Sequence, residues 1–238
     1  MRRRGVLRLV IVAALTVAVA VAVAAVYASP FLAVRRYRLV GARQLQLAGV
    51  LARAQVPADA TLIRFPAEAV RDRIAQDPWV AEVTVHRRFP DTVEFDVVER
   101  TPTALVDAGG THWLVDAQAW VLAQHSPDAS VTLPVVRKAE ALSPKVGSRL
   151  TSPALTNALA VLAGISGELR REVRFVDAAS ADETALVTKE NVDILVGRAE
   201  ELQKKDRIAR DILAAQRGKV VFIDVRSTDR GVWRGIQR

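Results

Sequence analysis

The sequence predicts an α+β protein with an N-terminal transmembrane helix, a first folded unit ordered β-α-α-β-β, and a mixed β domain containing two helices. Three observations predict it. A twenty-residue apolar run lies near the N-terminus; two short helical repeats followed by two alternating strands fill residues 34–100; and beyond Thr101-Pro102 short apolar runs alternate with turn formers and two longer helical stretches. The composition suits a folded chain, because half of the 238 residues are hydrophobic and a quarter are charged.

The apolar run is Leu9 to Ala28, in which Thr16 is the one clearly polar side chain. As a helix it would be about 30 Å long, the thickness of a bilayer's hydrocarbon core. A cleaved signal peptide is the competing reading, since Arg2 to Arg4 form a basic start and Val26-Tyr27-Ala28 a small-residue cleavage site. The run is longer than the usual signal-peptide core of about 7–15 residues, which favours an anchor. Arginines flank it on both sides, so the positive-inside rule does not decide orientation. Residues 1–8 are too short for a domain. They are expected in the cytoplasm and the folded mass outside it. Arg35, Arg36 and Arg38 then fall beside the outer leaflet, either attracting anionic lipid or forming a solvated strand face.

The net charge of +8 comes from this end. Residues 1–58 hold nine arginines and no acid, leaving 25 bases against 26 acids in the remainder. A nearly neutral bulk argues against nucleic-acid binding. With no cysteine, disulfides, thiol nucleophiles and cysteine zinc sites are excluded.

In the first unit, expected over 34–101, Val34 to Val40 reads as a strand ended by Gly41. Leu47, Val50, Leu51 and Ala54 form one helical stripe, and Ala67, Val70 and Ile74, after Pro66, form a second. Alternation at Val83 and Val85, then at Val93, Phe95 and Val97, gives two strands joined by Phe89-Pro90-Asp91-Thr92. Trp79 reads as a core aromatic, and Arg87, Arg88, Glu99 and Arg100 as cross-strand pairing partners.

The second unit, expected over 102–226, begins as a meander of short strands at 104–106, 112–115 and 120–122. Ser152-Pro153 caps a helix with Leu155, Leu159, Leu162 and Ile165 on its apolar stripe. Strands follow at 174–178, 185–188 and 191–196. Ala199 to Gln216 is a second helix, on which Lys205 reads as part of a solvated face, and Val220 to Arg226 is the last strand. Residues 227–238 are expected as a tail.

Several ordered motifs resemble the FtsQ/DivIB family of bacterial cell-division proteins, whose first folded unit is a POTRA domain. They are Pro78-Trp79-Val80, Arg87-Arg88-Phe89-Pro90-Asp91, Glu99-Arg100 with Pro102, Leu114-Val115-Asp116, Leu133-Pro134-Val135, Gly197 with Lys205, and Ile223-Asp224 with Arg226. One departure is Ala117-Gln118-Ala119, where the family usually has a glycine, so a tight turn is not expected there. The resemblance implies a single-pass plasma (inner) membrane protein at the division septum, a divisome scaffold rather than an enzyme. It also implies that the C-terminal edge of the β domain docks FtsB- and FtsL-type coiled-coil proteins. The candidate contacts are Val220, Val221, Phe222, Ile223, Asp224, Val225, Arg226 and Trp233. The alternatives are a membrane-anchored POTRA chaperone or export module binding extended polypeptides along an edge strand, and an outer-leaflet or wall-binding protein using the juxtamembrane arginines.

No catalytic motif emerges. Phosphate-binding loops, nucleotide fingerprints and zinc-protease signatures are absent from the sequence, and Gly164-Ile165-Ser166-Gly167 reads as a helix terminus rather than a nucleophile turn. His86, His112 and His125 have no metal-ligand spacing. No cofactor or metal is expected.

Overall fold

The computed structural model describes residues 2–27, 30–125, 133–139, 142–229 and 231–235. It divides into two compact units, Met1–Gln76 with Val80–Glu99, and Asp77–Trp79 with Arg100–Arg238. Helix α1 (Arg2–Tyr27) opens the chain, and its side chains are described over residues 11–25, all exposed. Among the described residues no helix is long and apolar enough to cross a membrane. Fifteen helical residues reach only about 22 Å. The run expected to span lies partly outside the described residues, at 28 and in the side chains of residues 9, 10, 26 and 27.

The first unit has the expected β-α-α-β-β order. Strand β1 (Arg36–Val40) precedes helices α2 (Leu47–Ala54) and α3 (Ala67–Ile74), and strands β2 (Val80–Arg88) and β3 (Thr92–Glu99) follow. The sheet order is β1-β3-β2, with β1 parallel and β2 antiparallel to the central strand. Val83, Val93, Phe95 and Val97 form a core with Val50, Ala54, Val70 and Ile74 from the two helices. This is why alternating apolar residues on the strands and the i, i+3, i+7 stripes on the helices were both needed.

Polar groups close this unit differently from expectation. Among the described residues Glu99 pairs with no base across the hairpin; its carboxylate accepts from the amides of Gln44 and Leu45, which lead into α2. Arg88 instead pairs with Glu94 at 2.8 Å, and Arg87 donates to the Phe65 carbonyl at 2.9 Å. α2 ends on Gln55, exposed in the left-handed conformation at φ 46°.

The second unit is a nine-stranded sheet ordered β12-β11-β10-β9-β8-β7-β4-β5-β6. Strands β4 (Pro102–Ala108), β5 (Thr111–Asp116) and β6 (Val121–Gln124) form the meander, and β7 (Val135–Arg137) joins β4 in parallel. Helix α4 (Pro153–Gly164) and the short α5 (Gly167–Glu172) lead into β8 (Val173–Ala178), β9 (Thr184–Thr188) and β10 (Asp193–Leu195). Helix α6 (Leu202–Ala215) precedes β11 (Val220–Asp224) and β12 (Val232–Gly235). The main core joins Leu155, Leu159 and Leu162 of α4 to Val136, Val176, Leu186, Ile194 and Ile223 of the sheet. Ser152 caps α4 by accepting from the Leu155 amide, and Ser166 caps α5 through Leu169.

Three expectations change here. Trp79 packs with Leu105, Leu114 and Leu122 of the second unit's smaller cluster, not in the first unit's core. Arg100 is likewise held by the second unit, at 2.8 Å from Asp116 and 4.5 Å from the centre of the Trp120 ring. The tight turn after Asp116 persists without a glycine. Asp116 Oδ1 accepts from the amides of Gln118 and Trp120, and Ala119 takes the left-handed conformation at φ 65°.

Lys205 is the largest correction. It is 5% exposed, and its Nζ donates to the carbonyls of Val196 at 3.0 Å and Arg198 at 2.9 Å. Burial lowers its pKa below the ordinary lysine range. The neighbouring Asp206, also 5% exposed, accepts from the Ser166 amide and hydroxyl and pairs with Arg210 at 2.9 Å.

Two predictions follow from these contacts. Lys205→Met keeps the stem but removes both donations, and should lower stability in urea unfolding by about 1–3 kcal/mol. Gln55→Gly relieves the left-handed backbone at the end of α2 and should raise it by about 0.5–1 kcal/mol.

Candidate functional site

The C-terminal candidates fall on β11 and on the strand beyond it. β11 runs parallel to β10 through Asp193↔Phe222, Ile194↔Ile223 and Leu195↔Asp224. Its other side pairs antiparallel with β12 through Phe222↔Arg234, Ile223↔Trp233 and Asp224↔Val232. β11 is therefore one strand in from the edge, and the segment expected as a tail supplies the edge itself. A glycine makes this reversal possible: a Cβ on Gly231 would lie 2.5 Å from Ile208 Cγ2 and 3.0 Å from Ile212 Cδ1 on α6.

Alternation along β11 sorts the candidates by face. Val220, Ile223 and Val225 are 5%, 0% and 0% exposed and belong to the main core. These three side chains hold the strand in place rather than line a surface. Phe222 is half-buried under the Arg234 guanidinium, 4.4 Å from its ring centre. Asp224 pairs with Arg226 at 2.7 Å, and the Arg226 guanidinium holds its carboxyl below the usual carboxylate range against the opposing effect of burial. The Val225 amide continues the ladder to the Leu195 carbonyl. Val221 and Trp233 are exposed, at 41% and 43%.

Sequence reasoning missed Val232, 58% exposed beside Trp233 on the same strand. The available signal was the apolar pair Val232-Trp233, following the Gly231 that lets the chain double back. Only four residues long, β12 is shorter than most strands.

The arginines expected beside the outer leaflet divide as well. Arg35, Arg36 and Arg38 are all exposed, but Arg36 pairs with Asp91 at 2.7 Å and depresses that carboxyl below its ordinary range. Arg38 lies opposite Glu94 in the parallel ladder. Glu94 is in turn held low, chiefly by its hydrogen bond to Arg88.

The histidines are scattered. His86 sits on β2 opposite Glu94, while the His125 amide donates to the His112 carbonyl at the β5–β6 end of the second sheet. Among the described residues no group of three or more His, Asp or Glu is placed to hold a metal ion. The cleft beside α5 and α6, about 520 Å³, is lined by Glu168, Glu172, Arg171 and Arg210 among others. Arg210 there is already committed to Asp206 and Glu168.

Comparison with known proteins matches both units. The POTRA domain, FtsQ-type, matches residues 32–100, and the cell division protein FtsQ/DivIB C-terminal domain matches residues 104–226, more than half of the chain. Cell division protein FtsQ of Anaeromyxobacter sp. (strain K) is 28% identical over 205 residues, covering 83% of this chain and 69% of the relative. Those of Syntrophotalea carbinolica and Streptomyces venezuelae are 26% and 28% identical, covering 86% and 90% of this chain and 74% and 79% of the relatives. The second match runs from within β4 through β11 and includes all three helices between them, so the chain belongs to the FtsQ/DivIB family of cell-division proteins.

Proposed function

We propose that this protein is a single-pass scaffold of the division machinery, anchored in the plasma (inner) membrane by residues 9–28 and concentrated at the septum. On this reading residues 1–8 are cytoplasmic and both folded units lie outside. It acts by assembly rather than by catalysis. The terminal sheet edge recruits FtsB- and FtsL-type coiled-coil proteins, and the first unit meets other membrane division proteins.

The observation that carries this reading is β12. It pairs with β11 on one side, and among the described residues no strand pairs with the other. An unpaired row of backbone donors and acceptors is a template for a partner strand. Val232 and Trp233 add exposed apolar area beside that row, and an aromatic anchor is the kind of residue that dominates interface energetics. The unbroken apolar sequence from Leu9 to Ala28 supports the anchor. Depletion of the protein in its native cell tests the whole reading: unseptated filaments with regularly spaced chromosomes are expected, and normally dividing cells would sink it.

Two narrower outcomes test the edge. Val232→Asp or Trp233→Ala should weaken capture of an FtsB-type partner by about tenfold or more, while Gln124→Ala on the opposite edge strand β6 leaves it unchanged in the same titration. The Asp224–Arg226 pair should behave as an acid-sensitive clasp. Because the folded carboxyl titrates below its unfolded value, its stabilising effect is complete well above an ordinary aspartate pKa of about 3.9 and is lost as pH falls through the folded pKa. In an NMR titration Arg226→Ala should move Asp224 back up toward that ordinary value.

A further inference from the structure

We propose that the end of the first unit nearest the apolar run is a bilayer-docking surface, where Phe89 and Phe31 enter the headgroup layer while Arg35 and Arg64 meet the phosphates of anionic lipid. This rests on reading residues 9–28 as a membrane anchor.

Backbone pairing brings the parts together. Arg36 at the start of β1 and Arg88 at the end of β2 both register with Thr92 at the start of β3. The amides of Arg35 and Arg36 donate to the Asp91 carbonyl at 2.9 and 3.2 Å, which ties the Phe89–Asp91 turn to the segment arriving from the apolar run. Ala33 bridges to Thr61, the Val34 amide donates to Ala60, and Leu62 donates to Leu32, so the segment holding Arg64 starts at the same place. Arg35 lies seven residues beyond Ala28, which even fully extended span about 25 Å at most. A 3-10 turn at Pro30–Leu32 shortens that tether. The hairpin tip is thus confined near the membrane by covalent length and hydrogen bonds alone.

The chemistry at this end differs from the rest of the unit. Phe89 and Phe31 are 66% and 71% exposed, whereas Phe65 and Phe95 are buried. The backbone segments joined at this end carry Arg35, Arg36, Arg64, Arg87 and Arg88 against Asp59, Asp91 and Glu94, an excess of base. Three of those arginines are engaged: Arg36 by Asp91, Arg88 by Glu94 and Arg87 by the Phe65 carbonyl. Among the described residues neither Arg35 nor Arg64 makes a side-chain ion pair with a carboxylate, although the charge of Arg35 is felt by Asp91, and both are exposed. An apolar body beside cationic groups is the pattern of surfaces that sit at the membrane interface. The sequence left Arg35, Arg36 and Arg38 as either lipid-attracting or a solvated strand face; the pairing of Arg36 moves the lipid-facing reading toward Arg35 and Arg64.

The lack of cysteine gives a direct test. Phe89→Cys at the tip and Val98→Cys near the far end of β3 each provide a single labelling position on an exposed side chain. Full-length chains carrying a bimane label at either position are reconstituted into vesicles of phosphatidylcholine and phosphatidylglycerol, with and without brominated lipid. The expected result is several-fold stronger quenching at position 89 than at 98, falling toward the level at 98 when Arg35→Glu and Arg64→Glu are combined. Equal quenching at the two positions overturns the proposal, and quenching that ignores the two Glu substitutions overturns its electrostatic part. Alkaline carbonate extraction separates this from the anchor: chains that stay in the vesicles with equal quenching lose only the docking surface, whereas chains that are extracted lose the anchor and the surface with it.

Discussion

The second unit depends on a lysine that ends inside the protein. Lys205 carries its ammonium to the carbonyls of Val196 and Arg198, just beyond β10. One residue later Asp206 takes the amide and hydroxyl of Ser166 at the cap of α5. Consecutive residues on α6 therefore fasten the helix to the end of one strand and the start of another helix. Burying a charge is tolerable only when it finds hydrogen-bond partners, so these contacts specify where α6 lies as well as hold it. Ile208 and Ile212 of that helix form the floor on which Gly231 turns, and the position of β12 is inherited from them.

The same dependence explains what was legible in the sequence. Helices α2, α3 and α4 each bury an apolar stripe along one face, and such stripes report directly on helical spacing. The strands of the first hairpin alternate because one face meets the helices and the other meets water. Lys205 defeated that logic, since a lysine on an amphipathic helix ordinarily marks the wet side, and its burial depends on carbonyls contributed by residues 196 and 198. Ala119 defeated it for a different reason: the side chain of Asp116 supplies two hydrogen bonds to the turn, enough to hold a left-handed residue that is not glycine. β7 and β12 are three and four residues long, too short for a period to develop. Trp79 was legible as an aromatic packed on a core, where it is half-buried, but not as a residue of the second unit, because local sequence does not say which of two cores an aromatic joins.

Charge is distributed with more order than the net excess suggests. On the first unit's open sheet face, Arg88 binds Glu94, with His86 and Arg38 as the cross-strand neighbours of that carboxylate. On the second, Arg137 and Lys138 share Asp177 while Arg137 and Arg174 both lie over the Phe175 ring. Arg234 over Phe222 repeats the theme on a ring three strands away. Aromatic rings left half-open by a sheet with helices on its other face are covered by guanidinium groups, which remain hydrated while shielding apolar surface.

That shielding bears on how an edge strand can be open without being indiscriminate. A long, flat, apolar edge invites pairing with any extended chain. β12 is short, its register with β11 shifts between Val220 and Phe222, and an arginine covers the aromatic beside it. Backbone pairing over four residues offers few hydrogen bonds, each worth only about 0.5–1.5 kcal/mol net. A strand added there, as proposed, would need further contacts with Trp233 and Val232, which would restrict the edge to partners bearing complementary side chains. On the proposed reading, selectivity at this edge would reside in the few exposed groups around the ladder, and the ladder itself would set the direction in which a partner lies.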